Sequence, residues 1–321
     1  MRFAFDAYVT TALFDEAGAL FALGDGTVRW QDGQVQQAHE GAILCAALHP
    51  SGDGVVTGGD DGRVAWSRPG GWESLAHLPG RWIDALAVSA HQGLIAFACG
   101  RDLHVSDVKD PGFARLFTHE RSVGGLAFDA KGRRLAAATY GGAALWYARI
   151  AQQKPVMLRW AGSHIGVAFD PDGKFLISSM QENALHGWRL ADAADMRMGG
   201  YPAKVHSVAF VAGGAWLATS GASGVVLWPF AGAGGPMGQQ AIEVGHDEHA
   251  LVTRVAGLDP GTVLAAGLSD GRVWACEAGS REIRMLKDDS GPPITALAIG
   301  GARLAWGDAA GGAGIVDLPA F

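Results

Sequence analysis

The chain has 321 residues, 49% of them hydrophobic and 18% charged, with a net charge of −7 and a pI near 5.8. That apolar share excludes the disordered class, which cannot bury enough surface to fold. The acidic balance argues against a protein built to neutralise phosphates, so nucleic acid is not an expected partner.

Cys45, Cys99 and Cys276 stand far apart with no CxxC, which fits neither a disulfide framework nor a thiolate zinc site and points to a reducing, cytoplasmic setting. Asp6, Asp15 and Glu16 interrupt the stretch where a signal peptide would need an apolar run. Nowhere do about 18 apolar residues follow one another, so no membrane span is expected. Glycine, with 48 residues spread evenly, implies many tight turns between short strands.

In chain order, a short strand Arg2 to Phe5 precedes the first of a series of similar units. Unit one runs from Tyr8 to Trp30 and unit two from His39 to Trp66. Unit two shows the layout best: an alternating apolar stretch, a Pro-Ser-Gly-Asp-Gly turn, a second stretch, an Asp-Asp-Gly turn and a third stretch. The layout recurs from Arg81 to Ser106, His119 to Trp146, Ser163 to Trp188, Lys204 to Trp228, Ala250 to Trp274 and Pro293 to Val316.

The ends of successive units lie 36 to 46 residues apart, the period of a four-stranded propeller blade. A fourth strand follows the third, as in Gly71 to Leu78, Gly112 to Phe117, Pro155 to Trp160, Ala241 to Val244 and Glu282 to Lys287. The last unit has no residues left for one, so Arg2 to Phe5 is expected to complete it. The predicted fold is all-β: one domain over residues 1–321, a closed β-propeller of eight four-stranded blades, with seven blades as the alternative.

The units His39 to Trp66 and His119 to Trp146 resemble WD repeats, which carry a Gly-His near the start, an Asp-Gly turn and a closing Trp-Asp. The likeness is degenerate: no unit closes with Trp-Asp, and His opens only units two, four and seven, as His39, His119 and His246. The resemblance implies a buried hydrogen-bonded set in unit two of His39, Thr57 and Asp61. Trp66 falls one residue short of the usual spacing, which turns it to the other face of its strand. The resemblance also implies that loops leading into the first strands, with the turns after the second strands, form a partner-binding rim.

On that rim the lead-in residues include Tyr8, Trp82 and Lys204, followed two positions on by Asp84 and His206, and one position further, in unit seven, by Arg254. The turns add Arg101, Tyr140, Met180 and Gln181, and Trp306 is a further non-repeating aromatic. Aromatics, Arg and Met are the types enriched at interface cores, so an unidentified protein or peptide is the expected partner of a monomeric scaffold, with Trp82, Tyr140 and Arg254 as anchors.

No GxxxxGK[ST], GxSxG, HExxH or SxxK occurs, so no catalytic residue and no cofactor is assigned. The strongest metal-like cluster, Gly-His-Asp-Glu-His, offers His246 and His249 as weak candidates. A small-ligand or divalent-metal propeller is therefore the alternative reading, and a propeller enzyme with a central-channel site a further one.

Overall fold

A computed structural model describes residues 1–321 and contains thirty strands. No helix is long and apolar enough to cross a membrane. Each repeat unit folds as an antiparallel meander because its strands are joined by turns too short for any other path. In the first, Val9–Asp15 pairs with Gly18–Leu23, then Thr27–Trp30, then Val35–Gln37 at the outer edge. The first strands stand innermost, side by side: Val9–Asp15 lies between Ile43–Leu48 and Ile294–Gly300.

The expectation of eight separate four-stranded blades is corrected. The strands form seven sheets, six of four strands and one of six. The six-stranded sheet arises where units four and five meet, because Arg134–Tyr147 and Val156–Phe169 are each continuous strands of 14 residues. Only Ala161 and Gly162 separate the predicted outer strand of unit four from the start of unit five. Both stay within the strand, at a bulge in its pairing where Gly162 takes φ +123°, and the ladder passes from one unit to the next without a loop. The inner strands also come unusually close here: a Cβ on Gly125 would sit 2.8 Å from the Gly166 Cα.

Arg2–Ala4 pairs with Gly312–Gly314 of the last strand, so one sheet contains both chain ends. The Met1 amino group donates to the Ile315 carbonyl at 2.8 Å, and Phe3 and Phe5 each lie 5.6 Å from the Phe21 ring.

The core is a series of clusters, each lying between consecutive units. One joins Leu94, Leu103 and Phe117 of unit three to Leu135 and Trp146 of unit four; another joins Val211 and Leu227 of unit six to Leu264 and Trp274 of unit seven. Of the recurring tryptophans, Trp30, Trp146, Trp188 and Trp274 are buried in these clusters, while Trp66 and Trp228 are half-buried. Next to the predicted lead-in positions, Val9, Ile43, Ile83, Val123, Val205, Val252 and Ile294 are buried apolar residues, and unit five has buried His164 at that place.

Hydroxyl and thiol side chains tie neighbouring inner strands together. Thr10 donates to the Ile43 carbonyl at 3.1 Å, Cys45 to Ile83 at 3.3 Å, Ser207 to Val255 at 3.0 Å, Thr253 to Ile294 at 2.7 Å and Thr295 to Val9 at 2.6 Å. Burial pushes the Cys45 thiol up to about 12, with the Asp84 carboxylate adding to the rise, so this group holds its proton and serves as a donor. All three cysteines are free.

Candidate functional site: the rim over units three to five

The polar set of unit two forms as its residues predict. Burial holds the His39 imidazole below its usual range, so neutral Nδ1–H donates to Asp61 at 2.9 Å and Nε2 accepts from Thr57 at 2.8 Å. Trp66 is outside the set: it pairs with Val56 rather than Thr57, stacks on His49 at 4.0 Å and donates to the Asp53 carbonyl. Unit four has a shorter version, in which Trp146 donates to His119 at 3.0 Å.

Sequence reading missed an equivalent set in unit six. Tyr201 replaces the histidine, its hydroxyl 2.7 Å from Thr219 and accepting from Trp228 at 2.6 Å. The signal was spacing, because Tyr201 precedes Thr219 by 18 residues, as His39 precedes Thr57. These sets satisfy buried polar groups and fix the turns of the rim.

Lead-in loops and second turns meet on one face. Gly24 N–H donates to Tyr8, Asp60 to Ala42, Gln181 to Ser163 and Ser269 to Leu251, at 2.8–3.1 Å. Over units three to five this face is concave. A pocket of about 350 Å³ is lined by Arg81, Trp82, Asp84, Cys99 and Ser122. It shares Asp84 and Ser122 with a wider hollow of about 700 Å³, which also takes in Arg121, Tyr140 and Ser163. Arg121 and Tyr140 then form the wall of a third pocket of about 390 Å³ that reaches outward over His119 and Trp146. The three adjoin one another through these shared residues and form a grooved stretch of the rim.

Trp82 and Tyr140 flank the groove with 67% and 65% of their surface exposed. Burial raises the Asp84 carboxyl above its ordinary range. Tyr8, 43% exposed, stands on unit one, apart from the groove. Arg101 and Gln181 are exposed on the same face, and the Arg101 carbonyl accepts from His119 Nδ1.

Met180 is a correction: it is 4% exposed, its side chain turned in beside Gly162, and it offers nothing to a partner. Trp306 is likewise buried, under the Lys287 ammonium at 5.3 Å. Lys204, His206 and Arg254 form a second cluster on units six and seven, where burial and then the two cations lower the His206 pKa. Arg254 is committed to the fold, donating to the Thr295 carbonyl at 2.7 Å and to Thr253 at 2.9 Å.

The weak metal candidates do not converge. His246 faces Glu243 at 3.3 Å, while Asp247 caps His249 and Ala250 N–H groups and pairs with Arg272. No group of three or more His, Cys, Asp or Glu side chains assembles into a metal site.

A family model described as "WD domain, G-beta repeat" (WD40) matches residues 30–65. A comparison with proteins of curated function finds no match. Among solved structures, the computationally designed Ika8 protein is similar with a TM-score of 0.78 at 19% identity, over 98% of this chain and 98% of that one. The β-propeller domain of Cps50 (Swd1) from Myceliophteria thermophila is similar with a TM-score of 0.66 at 16% identity, over 86% of this chain and 97% of that one. At such identities the structural likeness establishes the fold, a β-propeller. Within that β-propeller, residues 30–65 match a WD-type repeat, and the His39–Thr57–Asp61 set lies in the unit that this repeat overlaps.

Proposed function

We propose that this protein is a binding scaffold that takes a partner protein or peptide into the groove over units three to five. One observation carries the reading: two highly exposed aromatic side chains, Trp82 and Tyr140, line a row of adjoining hollows on one face. Contiguous apolar exposure beside convergent polar groups favours a binding surface over a bare rim. Arg254 drops out as an anchor because its side chain is half-buried and held in place by two bonds to backbone carbonyls.

The test is selection of peptides from a displayed library on the full chain. Trp82→Ala and Tyr140→Ala should each weaken a selected peptide by about tenfold or more, as interface anchors do, with unchanged melting temperature. Trp72→Ala, on the outer strand Gly71–His77, should bind normally. Selected peptides insensitive to both rim changes would overturn the reading.

A further inference from the structure

The outer pocket of the groove has a charge that the molecule as a whole does not. The chain carries −7, yet this pocket of about 390 Å³ presents Arg121, Lys154 and Arg159 against a single carboxylate, Glu120. All three cations are exposed, and the ion pairs of the molecule lie elsewhere. Three unpaired cations around one concavity focus positive potential where an acidic surface would otherwise repel anions.

The strand pattern explains their convergence. Met157 and Arg159 alternate along Val156–Phe169, so both project to the side that lines the pocket, and Lys154 and Pro155 reach it from the residues just ahead of that strand. Arg121 arrives from the loop ahead of unit four, and Tyr140 from its second turn. Because unit four passes into unit five through Ala161 and Gly162 without a loop, no lead-in loop rises between them. The floor is Trp146 with neutral His119, whose ring nitrogens are used by Trp146 and the Arg101 carbonyl. The floor and Met157 supply an apolar surface, and the cations stand around it.

We propose that this pocket receives an anionic side chain of the bound partner, from a peptide segment in which acidic groups flank an apolar one. The proposal rests on the rim reading above and names the partner's chemistry. Arg fits a carboxylate or a phosphate in a two-pronged contact, while Lys acts as a point charge, so both sources of the anion are tested.

The probes are a blocked Glu-rich peptide containing one phenylalanine, its Gln counterpart, and its phosphoserine counterpart, titrated against the full chain by fluorescence anisotropy at low and high salt. At low salt the Glu or the phosphoserine peptide should bind about tenfold tighter than the Gln peptide, an advantage that shrinks with salt. Arg159→Gln and Lys154→Gln should each remove much of that advantage without changing the melting temperature, and the tighter anionic peptide identifies the source. Equal binding of all three peptides, weakened by Trp82→Ala, would overturn the anionic site and leave the rim reading standing. Failure of all three to bind would also overturn it.

Discussion

His186 is the residue whose surroundings have the clearest consequence in solution. It is buried between Trp160, stacked at 3.9 Å, and Trp188 at 4.9 Å, and neither ring nitrogen has a hydrogen-bond partner. Burial drives its pKa down to about 4, outweighing the pull of Asp195 at 3.5 Å. The unfolded chain, titrating near the ordinary 6.5, binds the proton more readily between those two values. Stability is therefore intact above pH 6.5 and falls as pH drops toward 4, by about 3 kcal/mol from this residue alone. Burial also lowers the His39, His119 and His164 pKa values, so their contributions have the same sign. Urea unfolding across that range should show the loss, and His186→Phe, which keeps the stack without the proton, should flatten it. An unchanged pH slope in His186→Phe would refute the assignment.

At the scale of elements, the six-stranded sheet depends on two glycines facing each other across the inner strands. A Cβ on Gly125 would lie 2.8 Å from the Gly166 Cα and 3.0 Å from the Ile165 carbonyl, both backbone atoms that cannot rotate away. Gly125→Val should therefore cost about 1–3 kcal/mol by overpacking. Gly234→Ala, where an added Cβ meets nothing within 4 Å, should be near neutral. Paired denaturant melts compare them, and equal midpoints would contradict the close approach. The outer strands were legible as alternating stretches because each presents one face to a core. Their fusion was not, since the period locates units and is silent on whether two residues between them form a loop or a bulge within one strand.

For the whole molecule, closure rests on a short segment. Arg2–Ala4 supplies the edge partner of the last strand, and Phe3 and Phe5 cover Phe21. Removing residues 1–6 would expose that strand edge and the ring cluster together, a loss on the order of 3–5 kcal/mol from the two phenylalanines and the lost ladder. Thermal melting of the truncated chain should show a clear drop; a midpoint equal to that of the full chain would mean that closure does not depend on this strand.

The sequence by itself determined the meander of short strands, the repeat period, the return of the first strand to the last sheet and the His39–Thr57–Asp61 set, because these follow from local alternation, turn chemistry and spacing. Only the tertiary structure decided the number of sheets, the burial of Met180 and Trp306, the commitment of Arg254 to backbone carbonyls and the convergence of Arg121, Lys154 and Arg159. The reason is physical: alternation says which face of a strand a side chain leaves from. What it meets there depends on how neighbouring units pack around the channel, which no single unit encodes.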